Sequence, residues 1–193
     1  MSHILEKHWT TKAGLQAVVL ICLHGQRKSH RCGYVAVPSE HPTYGKSYNQ
    51  EIDCISQEAV NNTTLGDKSP MLLLTASVIN GEATDRVRRS LDCLIEVHGG
   101  ITYDGESGKY PIETTEKLWW FGFDCQHYDD GHIEPDPAGY WNHGHVWTLE
   151  ECEEQCESMA QQLQALCPTK YLATARPTTN THLKSLKKGG STI

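Results

Sequence analysis

Hydrophobic and polar positions change rhythm several times along the chain, and each rhythm predicts an element. AVVLICL over residues 17–23, CGYVAV over 32–37 and LWWFGF over 118–123 are rich in β-branched and aromatic side chains, the composition of strands. A fourth strand is expected over 91–97, where Leu91, Cys93, Ile95 and Val97 alternate with Asp92, Leu94 and Glu96 at the period of a half-buried strand. That phase sets His98 on the face opposite Val97.

The rhythm lengthens after Trp147. In TLEECEEQCESMAQQLQALCP, the residues Leu149, Cys152, Cys156, Met159, Leu163 and Leu166 recur at spacings of three and four, which draws one apolar stripe along a helix. Thr148 reads as its N-cap, Glu151 completes a capping box, and Pro168 stops it. A weaker helical pattern covers 52–60. The order of elements predicts an α+β fold, a small antiparallel or mixed sheet packed by a long C-terminal helix. A chain of 193 residues is enough for one hydrophobic core, so residues 1–168 are expected to form a single globular domain. Residues 169–193 are polar and basic, a tail expected to be mobile or to dock on a partner subunit.

Charge narrows the function classes. With 24 acidic against 17 basic residues and a formal charge of -7, the chain lacks the balance of a general nucleic-acid binder. Its densest basic run, Arg86, Arg88 and Arg89 in TDRVRRS, is either a solvated face or a holder of phosphate or sulfate, since guanidinium groups offer paired donors to such anions. No signal peptide is expected at the start, and no segment reaches the roughly 20 apolar residues that span a bilayer. A cytoplasmic protein follows as the expectation, its eight cysteines mostly reduced and none in a CxxC pair.

Three stretches carry candidate chemistry. From Asp124 to His145 the chain holds Asp124, Cys125, His127, Asp129, Asp130, His132, Glu134, Asp136, His143 and His145, a density of nitrogen, oxygen and sulfur donors suited to Zn or another divalent metal. Cys125, His127 and His132 are the candidate ligands; the alternative is an acidic loop whose aspartates cap turns. His98-Gly99-Gly100 follows the fourth expected strand, and a glycine pair at a strand end lets backbone approach a ligand beside a histidine that can move protons. If that strand lies beside the one ending at Asp124, then His98, Asp124 and His127 converge as a catalytic set. In HRCGYVAVPSEHPTYGKSYN, Tyr34, His41 and Tyr44 are candidates to line a ligand site with Gly99, Gly100, Arg86 and Arg89, with Tyr44 and Tyr48 the candidates to stack on a flat group. Cys32 is either a nucleophile with His98 or His127 as base, or a small core residue.

Taken in order, HRCGYVAVPSEHPTYG, EVHGGITY, WWFGFDCQH and ECESMAQQL resemble a family of small phage and prophage proteins with the pattern CGYVxVPxxHPxYG, VHGGxTY, WWFGFDCxHxxD and ECxxLAxQL. Cys32, Gly33, Tyr34, His41, Pro42, His98, Gly99, Gly100, Asp124, Cys125 and His127 stand at matching positions, over a span from Arg31 to Leu163. The chain departs from the pattern in its longer acidic loop after His127 and in its basic tail. The resemblance brings no catalytic assignment, but it implies a counter-defence role in the cytoplasm of an infected host cell. By analogy, the expected function is binding and sequestering a small nucleotide-type immune signal, in a possible homo-oligomer. The alternative is a hydrolase, with or without a metal, that cleaves such a signal through His98, Asp124 and His127. A third reading is a structural or adaptor protein without a small-molecule site.

Overall fold

In a computed structural model of the chain, residues 2–52, 89–139 and 143–166 are described. The helix expected over 52–60 lies almost wholly outside them, as do Arg86, Arg88 and the tail over 169–193; of Arg89 only the backbone is described. Strands β1 (Ser2–Thr10), β2 (Gln16–His24), β3 (Arg27–Pro38), β6 (Tyr103–Glu106) and β7 (Leu118–Asp124) form one sheet in the order β1-β2-β3-β7-β6, antiparallel at every pairing. Two short strands, β4 (Glu51–Ile52) and β5 (Arg89–Ser90), pair separately. A one-turn helix α1 (Leu91–Leu94) follows β5, and helix α2 (Leu149–Ala165) begins at the expected capping box of Thr148 and Glu151. Among the described residues no helix is long and apolar enough to cross a membrane.

The continuous apolar runs of β2 and β3 are explained by burial on both faces. One face of the sheet meets α2: Val19, Val35, Phe121 and Phe123 pack with Cys152, Cys156, Met159 and Leu163 of the predicted stripe. The other face gathers Val18, Leu20, Cys22, Cys32, Tyr34, Leu118 and Trp120, half covered by Tyr103, Tyr110 and Ile112. Two reciprocal pairs lock β3 to β7, Gly33 opposite Phe123 and Tyr34 opposite Gly122. Each aromatic ring lies over the glycine across from it, where a Cβ would collide. A Cβ on Gly33 would also come 2.8 Å from Cys156 Sγ, so the missing side chain is what lets α2 settle close to β3.

Strand β1 has no apolar run and was not anticipated. It is an edge strand with mostly exposed side chains, and its register slips between Leu5 and Lys7, a bulge of the kind that blunts an open edge.

The strand expected over 91–97 is overturned. Leu91–Leu94 turns as a helix, with the Ile95 amide donating to the Leu91 carbonyl at 2.8 Å, because Leu91, Leu94 and Ile95 also fit helical spacing and all three are buried while Cys93 is exposed. The segment that follows lies along α2 instead of in the sheet. Gln162 accepts from the Glu96 amide at 2.7 Å and donates to the Glu96 carbonyl at 2.8 Å, and two turns further back on the same face Gln155 accepts from the His98 amide at 2.9 Å. Two glutamine side chains thus do for this backbone what a neighbouring strand would do.

Candidate functional site

The path from α1 to His98 ends in a tight reversal. Gly99 and Gly100 have φ of +66° and +84°, the left-handed region that glycine tolerates, and the Gly100 amide donates to the Val97 carbonyl at 2.9 Å. Just beyond, the Thr102 amide donates to the Gly122 carbonyl at 2.8 Å, which sets the glycine turn beside the end of β7. The two motifs therefore meet, through a turn in place of the expected strand. A Cβ on Gly99 would run into the His127 imidazole, so glycine is required here for space as well as for φ.

What gathers at this place is His98, His127 and Asp130, whose donor atoms all lie within 4.8 Å of one another. Asp130 Oδ2 accepts from His98 Nε2 at 2.9 Å, from the His127 amide at 2.7 Å and, more distantly, from His127 Nδ1 at 3.3 Å. Asp130 Oδ1 accepts from Trp147 Nε1 at 2.8 Å. The carboxylate is deep, its side chain 4% exposed, while the imidazoles of His98 and His127 are 22% and 35% exposed. Burial pushes the Asp130 carboxyl up, but the bonds from His98, the His127 amide and Trp147 outweigh it and hold the group below its ordinary value. The imidazole planes of His98 and His127 are nearly perpendicular, with centroids 4.9 Å apart, and His98 lies against the Trp147 ring at 4.1 Å.

A second layer fixes these groups. Arg31 Nη1 donates to the Trp147 carbonyl at 2.6 Å while its other nitrogens grip both carboxylate oxygens of Glu6. The loop after His127 is pinned by the Gly131 amide on the His145 carbonyl and by the His145 amide on the Asp129 carbonyl, at 2.8 and 2.9 Å. His145 itself pairs with Glu151 at the start of α2.

Of the three residues expected to converge, His98 and His127 meet and Asp124 does not join them. Asp124 stands across from Cys32 in the β3–β7 register and so shares its face, turned from α2; its oxygens accept from Thr102 Oγ1 and the Gln126 amide. Asp130 takes its place beside the two histidines. The expected metal ligands Cys125, His127 and His132 are not brought together. Cys125 is one residue further along, on the opposite face, buried with its Sγ 3.8 Å from Cys152 Sγ; His132 folds back onto β3, where its Nε2 meets Ser29 Oγ at 3.0 Å. Among the described residues, the donor groups close enough to share an ion are His98 with His127 and Asp130, and Cys22 with His30 and Cys32.

The aromatic candidates lie elsewhere. Tyr34 is buried on the far face, hydrogen-bonded to Tyr110 and ringed edge-on by Tyr103 and Tyr110. His41 is buried, donating from Nε2 to the Leu163 carbonyl and accepting at Nδ1 from Thr43, and burial pushes its pKa down to about 4. Tyr44 packs against Trp119. Cys32 faces away from His98 and His127, so neither serves it as a base. Asp130 stood beforehand only as one donor among ten in its loop, and Trp147 was not singled out; Tyr128, next to His127 in the chain, projects at 96% exposure. The spacing His127-x-x-Asp130, which lets an aspartate fold back on a preceding amide, was the available signal.

Compared with protein-family models, curated proteins and solved structures, the chain matches none.

Proposed function

We propose that the protein is a metal-dependent hydrolase of a small nucleotide-type signal, with His98, His127 and Asp130 as the metal ligands. The observation that carries this reading is the convergence of two imidazoles on one buried carboxylate oxygen at 2.9 and 3.3 Å. Metal bonds of about 2.0–2.1 Å, meeting at octahedral or tetrahedral angles, set ligand atoms roughly 2.9–3.4 Å apart, the spacing at which each imidazole already stands from the carboxylate oxygen. Two histidines and a carboxylate leave positions open for Zn2+ or another divalent cation to polarise a phosphoryl oxygen and activate water. Tyr128, next to His127 in the chain, offers an exposed ring on which a base can stack. The phage resemblance supports an immune signal as the substrate and the infected cell's cytoplasm as the place of action.

Sequestration of the same signal is the second reading. It keeps Tyr128 as the stacking group and uses His98 and His127 as hydrogen-bond donors. One experiment separates the two. Purified protein, with and without added zinc or manganese, is incubated with a panel of cyclic and ADP-ribose-type nucleotides, then denatured, and the solution is resolved by chromatography and mass spectrometry. Metal-dependent products, lost in His98→Ala and His127→Ala, are expected. Intact nucleotide released only on denaturation would establish sequestration instead, and depletion of no nucleotide would refute both.

A further inference from the structure

On the sheet face turned away from α2, a second group of donors is assembled from three neighbouring strands. Cys22 occupies β2 where its register with β3 slips between Ile21 and Leu23; His30 and Cys32 are two apart on β3 and share a face. All three are buried, with Cys22 Sγ and Cys32 Sγ 3.4 Å apart and a ring nitrogen of His30 within 4.8 Å of both. Nothing in the proposed hydrolytic site touches them. On the other side of β2, His3 of β1 stands directly across from Cys22, on the same face, with its ring edge-on to Tyr110 at 5.1 Å.

We propose that Cys22, His30 and Cys32, with His3 as fourth ligand, form a structural site for a zinc-class cation that ties β1, β2 and β3 together. Two thiolates and two imidazoles are a tetrahedral set that zinc favours, and zinc–sulfur bonds of about 2.3 Å would hold the sulfurs roughly 3.8 Å apart, a few tenths of an ångström from their present spacing. The imidazole is oriented for the task. His30 Nδ1 lies 3.0 Å from Ser29 Oγ, whose hydroxyl also meets His132 Nε2 at 3.0 Å; with His30 Nδ1–H donating to that oxygen, the Nε2 lone pair is left for a metal. His3 also lines an open groove of about 800 Å³ between β1 and the segment 109–116.

The test uses the full chain loaded with Co2+, whose thiolate-to-metal charge-transfer absorption reports sulfur ligands only. Wild type should show that band and bind zinc in its place. His98→Ala should keep the band, which separates this site from the hydrolytic one, and so should Cys93→Ser. The double variant Cys22→Ser/Cys32→Ser should lose the band and about one equivalent of zinc, and His3→Ala should weaken binding by at least about tenfold. If the serine variant does not fold, alkylation of wild type decides: a chelator should make Cys22 and Cys32 react faster with iodoacetamide, read peptide by peptide. A missing band in folded, cobalt-treated protein, a band that survives the double substitution, chelator-independent alkylation, or a Cys22–Cys32 crosslink in unreduced protein would each overturn the proposal.

Discussion

Replacing Asp130 by asparagine tests the hydrolytic site at its buried centre. The carboxylate accepts three bonds of 2.9 Å or less, from His98 Nε2, the His127 amide and Trp147 Nε1. An amide keeps one oxygen, so its NH2 must face either Trp147 or the two histidine donors. The cheaper choice keeps Oδ2 as the oxygen and sets two donors face to face at Trp147. Losing one charge-assisted bond costs about 1.5–3 kcal/mol, and leaving a buried donor unsatisfied adds about 1–3 kcal/mol. A central figure of about 4 kcal/mol corresponds to a fall in Tm of roughly 8–16 °C for a chain of this size. The measurement is thermal unfolding followed by circular dichroism on metal-free Asp130→Asn and wild type between pH 3 and pH 8. Because the folded-state pKa of Asp130 lies below its ordinary value, its stabilisation is present above the usual carboxylate range and lost as the pH falls through the folded value. The gap between the two proteins should therefore be full at neutral pH and begin to narrow only below about pH 4. A shift under about 2 °C at neutral pH, or a gap that does not narrow at all as the pH falls below the usual carboxylate range, would refute the view of Asp130 as the centre of this cluster.

Other expectations follow from the same geometry. Gly99→Ala should lower stability by about 1–2 kcal/mol from the positive φ alone and, by displacing the His127 ring, abolish metal binding measured by calorimetry. Gln162→Ala leaves the Glu96 amide and carbonyl without their helix partner and should cost about 1–3 kcal/mol in urea unfolding; an unchanged midpoint would mean that water replaces the glutamine. His41 is held neutral, with a folded pKa near 4 against an ordinary 6.5, so the unfolded chain binds the proton first and stability should fall as the pH drops from about 6.5 to 4. His41→Gln should flatten that slope, which lies at higher pH than the one assigned to Asp130.

The parts of the fold legible from sequence were those whose side chains had only one way to be buried. The Leu149 to Leu166 stripe and its capping box specify α2, and the apolar runs of β2, β3 and β7 specify the centre of the sheet, because few other arrangements bury them. β1 left no such trace, since most of the side chains of this edge strand are exposed and few of its positions had to be apolar. Residues 91–97 carried two periods at once, and the choice between them was made by Gln155 and Gln162, about sixty residues away in the chain. The meeting of His98 with His127 could be anticipated from adjacent motifs. The exchange of Asp124 for Asp130 could not, because it depends on which face the last residue of β7 takes and on how the following turn closes. The Cys22, His30 and Cys32 group was hidden for a similar reason: only the register of β2 against β3, bulge included, brings a residue from one strand beside two from the next.

The glutamine clasp has a consequence for how the protein breathes. His98 is hung from α2 by Gln155, so the helix and the histidine cannot part without giving up that bond, and whatever loosens one loosens the other. A cation bound by His98, His127 and Asp130 would then act as a brake on opening of the helix. Amide exchange along Leu149–Ala165 should slow as metal is added, and it should slow less in Gln155→Ala, where the tether between the two has been cut.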